Sequence, residues 1–446
     1  MKKFIQAIKD ISKIEELKTK IVLTLIFMVI YRFAAQVSLP GIDVASAQAA
    51  LQNQTGEGGL LSILNMFTGG AFAQASIMAL GIMPYISASI VVQLMGIAVP
   101  YLQKLQKDGE SGRKKINQIT RWLTILITAV QGPAYITNLS SLIPESAMYL
   151  SGGMFWISSM VLLTSGTIFA MWLGEKITDK GIGNGISLLI MIGIIARFPG
   201  AFVQEFTSRI AGSTGGAIMI LIEVVVWFAV ILACILLVTA VRKIGVQYAR
   251  KTIAGDVKDV AGAREYIPLK LNSAGVMPII FAQAIMFVPG AIANQVNDDS
   301  SIKSIATSFS DINGLGYNLV FALLIIIFSY FYTAITIPTN KMAEDLKRNN
   351  GFIPGVRPGE ETASMLDSIL SKITLPGSLM LALLAILPAI AFKFGITQSW
   401  AIFYGGTSLI IMVGVAIDTI QQINSHLLNR HYDGLMKTGS KRKSVA

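Results

Sequence analysis

For a chain of 446 residues this sequence carries little charge: 14% of it is charged and 53% hydrophobic, with a mean hydropathy of +0.63. Soluble domains carry roughly 25% charged residues, so water is excluded as the main solvent. Cysteine is almost absent. The single Cys234 lies in an apolar run at 217–241, which rules out an intramolecular disulfide and a cysteine metal site and leaves a packing role. The two histidines, His426 and His431, stand five apart, where a metal pair on one helix face needs three or four. No glycine run leads into Gly-Lys-Ser/Thr, so no nucleotide loop is present. The N-terminal MKKFIQAIKDISKIEELKTK lacks the apolar core and cleavage site of a signal peptide. Acids are missing from the centres of the apolar runs, with Glu223 and Asp418 toward their ends, which lowers the standing of a pump or ion-coupled carrier. Nothing in the chain supports catalysis, and neither a cofactor nor a metal is expected.

What the sequence has in quantity is long apolar runs. A bilayer core about 30 Å thick needs roughly 20 apolar helical residues, and candidates stand at 21–37, 76–99, 122–139, 154–173, 186–199, 217–241, 274–293, 317–337, 373–392 and 400–420. The fifth is short and ends in Arg197 and Pro199; without it the count is nine. The fold class is therefore an all-α polytopic membrane protein. The formal net charge is +11, and position gives it meaning: with the N-terminus inside, 31 of the 36 lysines and arginines fall in inner segments. Arg32, Arg197, Arg209, Lys303 and Lys393 are the exceptions. Cytoplasmic connections carry the excess of positive charge, so both termini are expected in the cytoplasm. Residues 1–20 place Phe4, Ile8, Ile11 and Ile14 on one side at helical spacing, as in an interfacial helix; a solvated basic tail is the alternative.

Two runs share a pattern. Gly81-Ile82-Met83-Pro84-Tyr85-Ile86-Ser87-Ala88 and Gly275-Val276-Met277-Pro278-Ile279-Ile280-Phe281-Ala282 agree at five of eight positions. They are five spans apart and cross in opposite directions, the mark of halves related by a pseudo-two-fold axis in the membrane plane. The expected organisation is an interfacial helix at 1–20, a first half at 21–199, a second half at 200–422 and a cytoplasmic tail at 423–446. Proline inside a helix frees a carbonyl that lipid cannot satisfy, so Pro84 and Pro278 are expected to face neighbouring helices or a water-filled cavity.

Three connections stand out. The outer segment 58–75 holds an apolar stretch too short to span, flanked by glycines; it reads as a short helix folded back into the protein or as an element on the lipid surface. The inner segments 241–272 and 338–372 are long and basic. In the second, Phe352, Ile353 and Val356 among glycines and prolines suggest a protruding loop with a binding tip, against a plain solvated loop. A basic surface there suits polyanions: ribosomal RNA, an acidic protein face or anionic lipids.

Several motifs, in order along nearly the whole chain, resemble the SecY family, the channel subunits of the general protein translocase. They are Gly81–Ile90, Asp108-Gly109-Glu110-Ser111-Gly112-Arg113-Lys114-Lys115, Trp172-Leu173-Gly174-Glu175, Gly181-Ile182-Gly183-Asn184-Gly185-Ile186-Ser187, Pro354-Gly355-Val356-Arg357-Pro358-Gly359-Glu360 and Tyr404-Gly405-Gly406-Thr407-Ser408-Leu409. The resemblance implies an hourglass pore between two five-helix halves that passes unfolded secretory polypeptides across the bacterial plasma membrane and opens sideways to lipid. Matching motifs puts the family's apolar constriction on Ile82, Ile86, Ile186, Ile190, Ile280 and Ile411, with Ile410 adjacent to the last. A ring of branched apolar side chains dewets and blocks ions. The plug would carry Leu60, Leu61, Ile63, Leu64, Met66 and Phe67. Ser87, Gln93, Gln131 and Asn272 match polar positions of a lateral gate, or are ordinary interhelical glue. Arg250, Lys251 and Arg357 match regions that engage the SecA motor ATPase and the ribosome. Small SecE-like and SecG-like membrane subunits are implied by resemblance alone. Against this channel stand a secondary transporter of a small solute, since inverted repeats and broken helices recur there, and a non-conducting scaffold or insertase.

Overall fold

Each apolar run becomes a helix. In the structure of the protein, a computed structural model, residues 14–47, 65–143, 148–150, 152–211, 216–248, 264–293 and 313–441 are described. Helices α1 (Glu15–Ala34), α2 (Met83–Ala98), α4 (Gly109–Leu142), α5 (Gly153–Lys180), α6 (Gly185–Ala211), α7 (Gly216–Thr239), α8 (Met277–Ala293), α9 (Leu315–Thr336), α11 (Glu360–Lys393) and α12 (Gly406–Lys441) fall on the ten expected spans. Two shorter helices, α3 (Pro100–Lys107) and α10 (Thr339–Arg348), lie between them. Among the described residues six stretches are long and apolar enough to cross a membrane by themselves, and seven when α2 and α3, bent by 102°, count as one. The other expected spans fall short individually because α8 has 17 residues, or because charged and polar residues dilute α1 and α4.

Several expectations are corrected. Residues 1–13 lie outside the described set, but Glu15–Lys20 form the first turns of α1, so they do not belong to a separate interfacial helix. The fifth span does not stop at Pro199; α6 carries the proline inside it and runs to Ala211, since one missing donor leaves the hydrogen bonds on either side intact. Pro84 and Pro278 each stand second in their helices. In a first turn the amide has no intrahelical partner anyway, so the proline frees no carbonyl, and its fixed φ starts the helix. The glycine before each turn has positive φ, +52° at Gly81 and +64° at Gly275. The shared motif is thus a turn-and-start signal for α2 and α8.

The chain forms two compact units, one drawn from residues 1–207, 398–400 and 415–446, the other from 208–397 and 401–414. The expected boundary at 199/200 moves because α6 continues past Pro199. The end of α12 goes with the first unit because Gly183 N–H donates to Gln422 Oε1 at 2.9 Å. Within the first unit α2 packs on α4, α4 on α5 and α1 on α5. Its core joins Leu39, Phe72, Ile136, Leu139, Phe155 and Leu163. Within the second, α8 packs on α9 and α9 on α11, around Cys234, Ile279, Phe321, Ile325, Leu381 and Ile410. Cys234 is buried there, the packing role expected of it.

Where they are described, the segments expected as long basic loops are largely regular. Strands β1 (Val241–Tyr248) and β2 (Arg264–Lys270) pair antiparallel from Val241↔Lys270 to Gln247↔Arg264. A two-residue strand β3 (Gly351–Phe352) joins the other edge of β1, giving the order β2-β1-β3. Ile244 and Val246 alternate onto one face, where they meet Leu269, Leu346, Ile353, Leu366, Leu370 and Ile373. Most of 338–372 is α10 and the first turns of α11, whose Glu360 and Glu361 sit at the helix N-terminus that favours them.

Candidate functional site

The site begins with the turn at the end of the segment expected as a plug. Leu60, Leu61, Ile63 and Leu64 lie outside the described residues. Met66 and Phe67 are described and buried, at 4% and 7% exposure, in helical backbone at 65–67 followed by tight turns through Ala75. Asn65 organises this turn: its Oδ1 accepts from Ala73 N–H at 3.0 Å and its carbonyl accepts from Gly70 N–H at 2.8 Å. Thr68 Oγ1 donates to Asn65 O at 3.2 Å and accepts from Phe72 N–H at the same distance. Tyr135 of α4 caps it, donating to Phe72 O at 3.0 Å with the two rings edge to face at 4.9 Å. So the described part of 58–75 is folded into the protein, which favours that expectation over a lipid-surface element.

Two contacts seat the turn. Arg32 of α1 donates to Gly69 O at 3.0 Å. Gly69 has φ +64°, and a Cβ there would come 2.7 Å from Gly193 Cα of α6. Glycine is needed twice here, once for the left-handed backbone and once for the approach of two main chains. Sequence reasoning missed both partners and counted Arg32 only as an exception to the charge rule. The available signal was an arginine at the outer end of a span, one of five exceptions to the charge rule that the other 31 lysines and arginines obey.

From this turn the chain enters α2. Gly81 packs on Thr68, where an added Cβ would lie 3.2 Å from its methyl carbon. Ile82 and Ile86 follow one turn apart, 4% and 9% exposed. On α6, Ile186 and Ile190 are likewise one turn apart and share a face. Ile190 is buried and Ile186 half-buried, the latter held against Gly174 of α5. In the second unit Ile280 is half-buried and Ile411 is buried. The neighbours differ from them: Ile279 and Ile410 belong to that unit's packed core.

The turn entering α6 is held by several side-chain hydrogen bonds. Ile182 N–H donates to Thr24 Oγ1, Gly183 N–H to Gln422 Oε1 and Gly185 N–H to Thr178 Oγ1. Asn184 Oδ1 caps the helix by accepting from Ile186 and Ser187 N–H. Asn184, Ser187, Asp418, Gln421 and Gln422 line a polar cleft of about 470 Å³ beside this turn.

The four positions expected to line a gate have local surroundings of their own. Gln93 Nε2 donates to Ser89 Oγ at 3.2 Å on its own helix. Ser87 is half-buried and Gln131 exposed. Asn272 Nδ2 donates to Gly275 O at 3.0 Å, so it shapes the turn before α8.

Of the three expected partner-binding residues, Arg250 and Lys251 lie outside the described set. Arg357 stands between Gly355 and Gly359, both at positive φ, with its side chain 88% exposed and 3.8 Å from Glu361. Thr362 Oγ1 fixes the loop by donating to Arg357 O at 2.8 Å. Ile353 is corrected: at 4% exposure it is core beneath the sheet, leaving Phe352 exposed and Val356 half-buried in the expected tip.

A further feature was not legible. Arg209 at the end of α6 pairs with Glu223 of α7 at 2.7 Å, with side chains 7% and 6% exposed. Glu223 is thus a neutralised acid within the packing of the second unit.

Comparison with known proteins follows from this geometry. The SecY family profile matches residues 76–420. A protein translocase subunit SecY of Streptomyces galbus is 37% identical over 437 residues, covering 95% of this chain and 97% of that one. A solved structure of a protein-conducting channel shares the fold at a TM-score of 0.66 and 19% identity, over 92% of both chains. Another, concerning a plug domain that stabilises the closed channel, does so at 0.63 and 19%, also over 92% of each.

Proposed function

Since this chain belongs to the SecY family and is a channel subunit of the protein translocase, we propose how its residues carry that function. Ile82, Ile86, Ile186, Ile190, Ile280 and Ile411 form the constriction. Branched apolar side chains around a narrow passage expel water and hold back ions, yet make no specific bond to a chain moving through. The plug begins in the segment ending at Phe67 and seals the passage at rest. The observation that carries this reading is the seating of residues 65–75: buried, anchored at Gly69 by Arg32 and Gly193, and packed through Thr68 on Gly81 next to Ile82. A seal must lie against the constriction it closes, and this one leads straight into it.

The remaining assignments rest on chemistry and family membership. Ser87, Gln93, Gln131 and Asn272 line a lateral gate through which hydrophobic segments pass into lipid; their hydrogen bonds, about 0.6 to 2 kcal/mol each in membranes, are weak enough to break. Arg357 engages the SecA motor, with Arg250 and Lys251 contributing to motor and ribosome contact. SecE-like and SecG-like subunits complete the complex, and anionic lipids favour the basic loops. The protein lies in a bacterial plasma membrane with both termini in the cytoplasm, an orientation that the distribution of lysine and arginine supports.

The test uses vesicles holding the full chain, its small subunits and the motor ATPase, supplied with an unfolded secretory polypeptide. Protease-protected product is the expected result. Its absence, together with saturable uptake of a small solute, would favour the secondary transporter.

A further inference from the structure

The plug seat holds a charge arrangement that the sealing function does not use. Arg32 donates one N–H to Gly69 O. Gly193 touches the same glycine from α6, and Arg197 follows Gly193 by one helical turn, which puts it on the same face. Arg197 lies within electrostatic reach of Arg32, and both side chains are half-buried. Among the described residues neither arginine is paired with a carboxylate. Glu223 and Arg209 show how this protein treats a buried charge elsewhere, as a close pair.

Two guanidiniums held near each other in a partly dehydrated setting repel, because the reduced dielectric strengthens the interaction while little water remains to screen it. Charged groups at such depth are found with partners. A guanidinium presents five N–H donors in a rigid fork and accepts none. With one donor of Arg32 committed to Gly69, the remaining donors of both side chains match an anion's lone pairs.

We infer that Arg32 and Arg197 form an anion-binding site beside the plug turn, taking a single small anion such as chloride or the phosphate oxygen of a lipid headgroup. The bound anion offsets the repulsion and lets Arg32 keep its bond to Gly69, so that occupancy stabilises the seated plug. This effect on the plug rests on the channel reading above; the binding itself does not.

The probe is chloride, followed by the quadrupolar linewidth of its nucleus with the full chain in an uncharged detergent. Wild-type protein is expected to broaden the line saturably, and Arg197→Gln and Arg32→Gln are expected to abolish the saturable part while keeping the wild-type thermal transition. Added phosphatidylglycerol separates the sources. Displacement of chloride identifies the lipid phosphate as the natural occupant, and persistence of the broadening identifies the free anion. Should either variant misfold, displacement of the wild-type broadening by nitrate supports the site and its failure overturns it. Wild-type protein that translocates polypeptide yet shows no arginine-dependent broadening overturns the anion site and leaves the channel standing.

Discussion

At Gly69 a single hydrogen atom in place of a side chain decides whether the plug turn can sit. Gly69→Ala would force a Cβ into both a left-handed backbone and the path of Gly193. The strain is about 1 to 3 kcal/mol. We expect the variant to leak ions in planar bilayers without substrate, at tens of times the wild-type open probability if the closed state alone bears that strain. Wild-type conductance would show that the turn is seated by other contacts. Ile82→Asn with Ile86→Asn should likewise raise resting conductance by wetting the constriction, with protein abundance little changed. Arg357→Glu should reduce motor-driven export strongly while moving the thermal midpoint little, because the side chain is exposed and its contact with Glu361 is a surface pair. The motifs exposed Ile82, Ile86 and Arg357 to sequence reading because each lies in a local string with a local job. Arg32 and Gly193 were not legible, since their roles exist only through a contact across 37 residues for one and 124 for the other with Gly69.

Elements were read well where one period ran long, and poorly where it was brief. The apolar runs gave the helices because a bilayer leaves few other ways to satisfy a backbone. The sheet was missed although Val241–Tyr248 alternates, because eight residues beside a net positive charge read as easily as a solvated loop. Its third strand has two residues and no periodicity at all. Proline misled in both directions: at Pro84 and Pro278 it opens helices instead of breaking them, and Pro199 does not end α6. The layer under the sheet gives a test at this scale. Ile353→Ala removes a buried side chain from the cluster around Leu366 and should destabilise it by about 2 to 4 kcal/mol. Hydrogen exchange would report this as faster exchange of the β1 and β2 amides with α4 and α5 unaffected; uniform exchange would contradict a separate layer. At the buried pair, Glu223→Gln removes the carboxylate held 2.7 Å from Arg209 and should cost about 3 to 5 kcal/mol, seen as a large fall in the thermal midpoint in detergent.

For the molecule as a whole, the repeated pattern Gly81–Ala88 and Gly275–Ala282, expected inside two spans, instead marks the starts of α2 and α8, which pack on α4 and α9 respectively. The division into halves was approximate because hydrophobicity marks where helices lie and says little about which neighbours they choose. The last helix illustrates this, since its residues from Val415 onward join the first unit. Cys234 is the protein's only cysteine, so Cys234→Ala gives a background free of thiols in which one new cysteine reports one position. The most direct test of the channel account uses that background. Single cysteines at 82, 86, 186, 190, 280 and 411 are tested for crosslinking to a secretory polypeptide stalled during passage through membrane vesicles. The account predicts crosslinks from all six positions and none from lipid-exposed controls such as Leu232 and Leu383; a stalled chain that avoids the six isoleucine positions would contradict it.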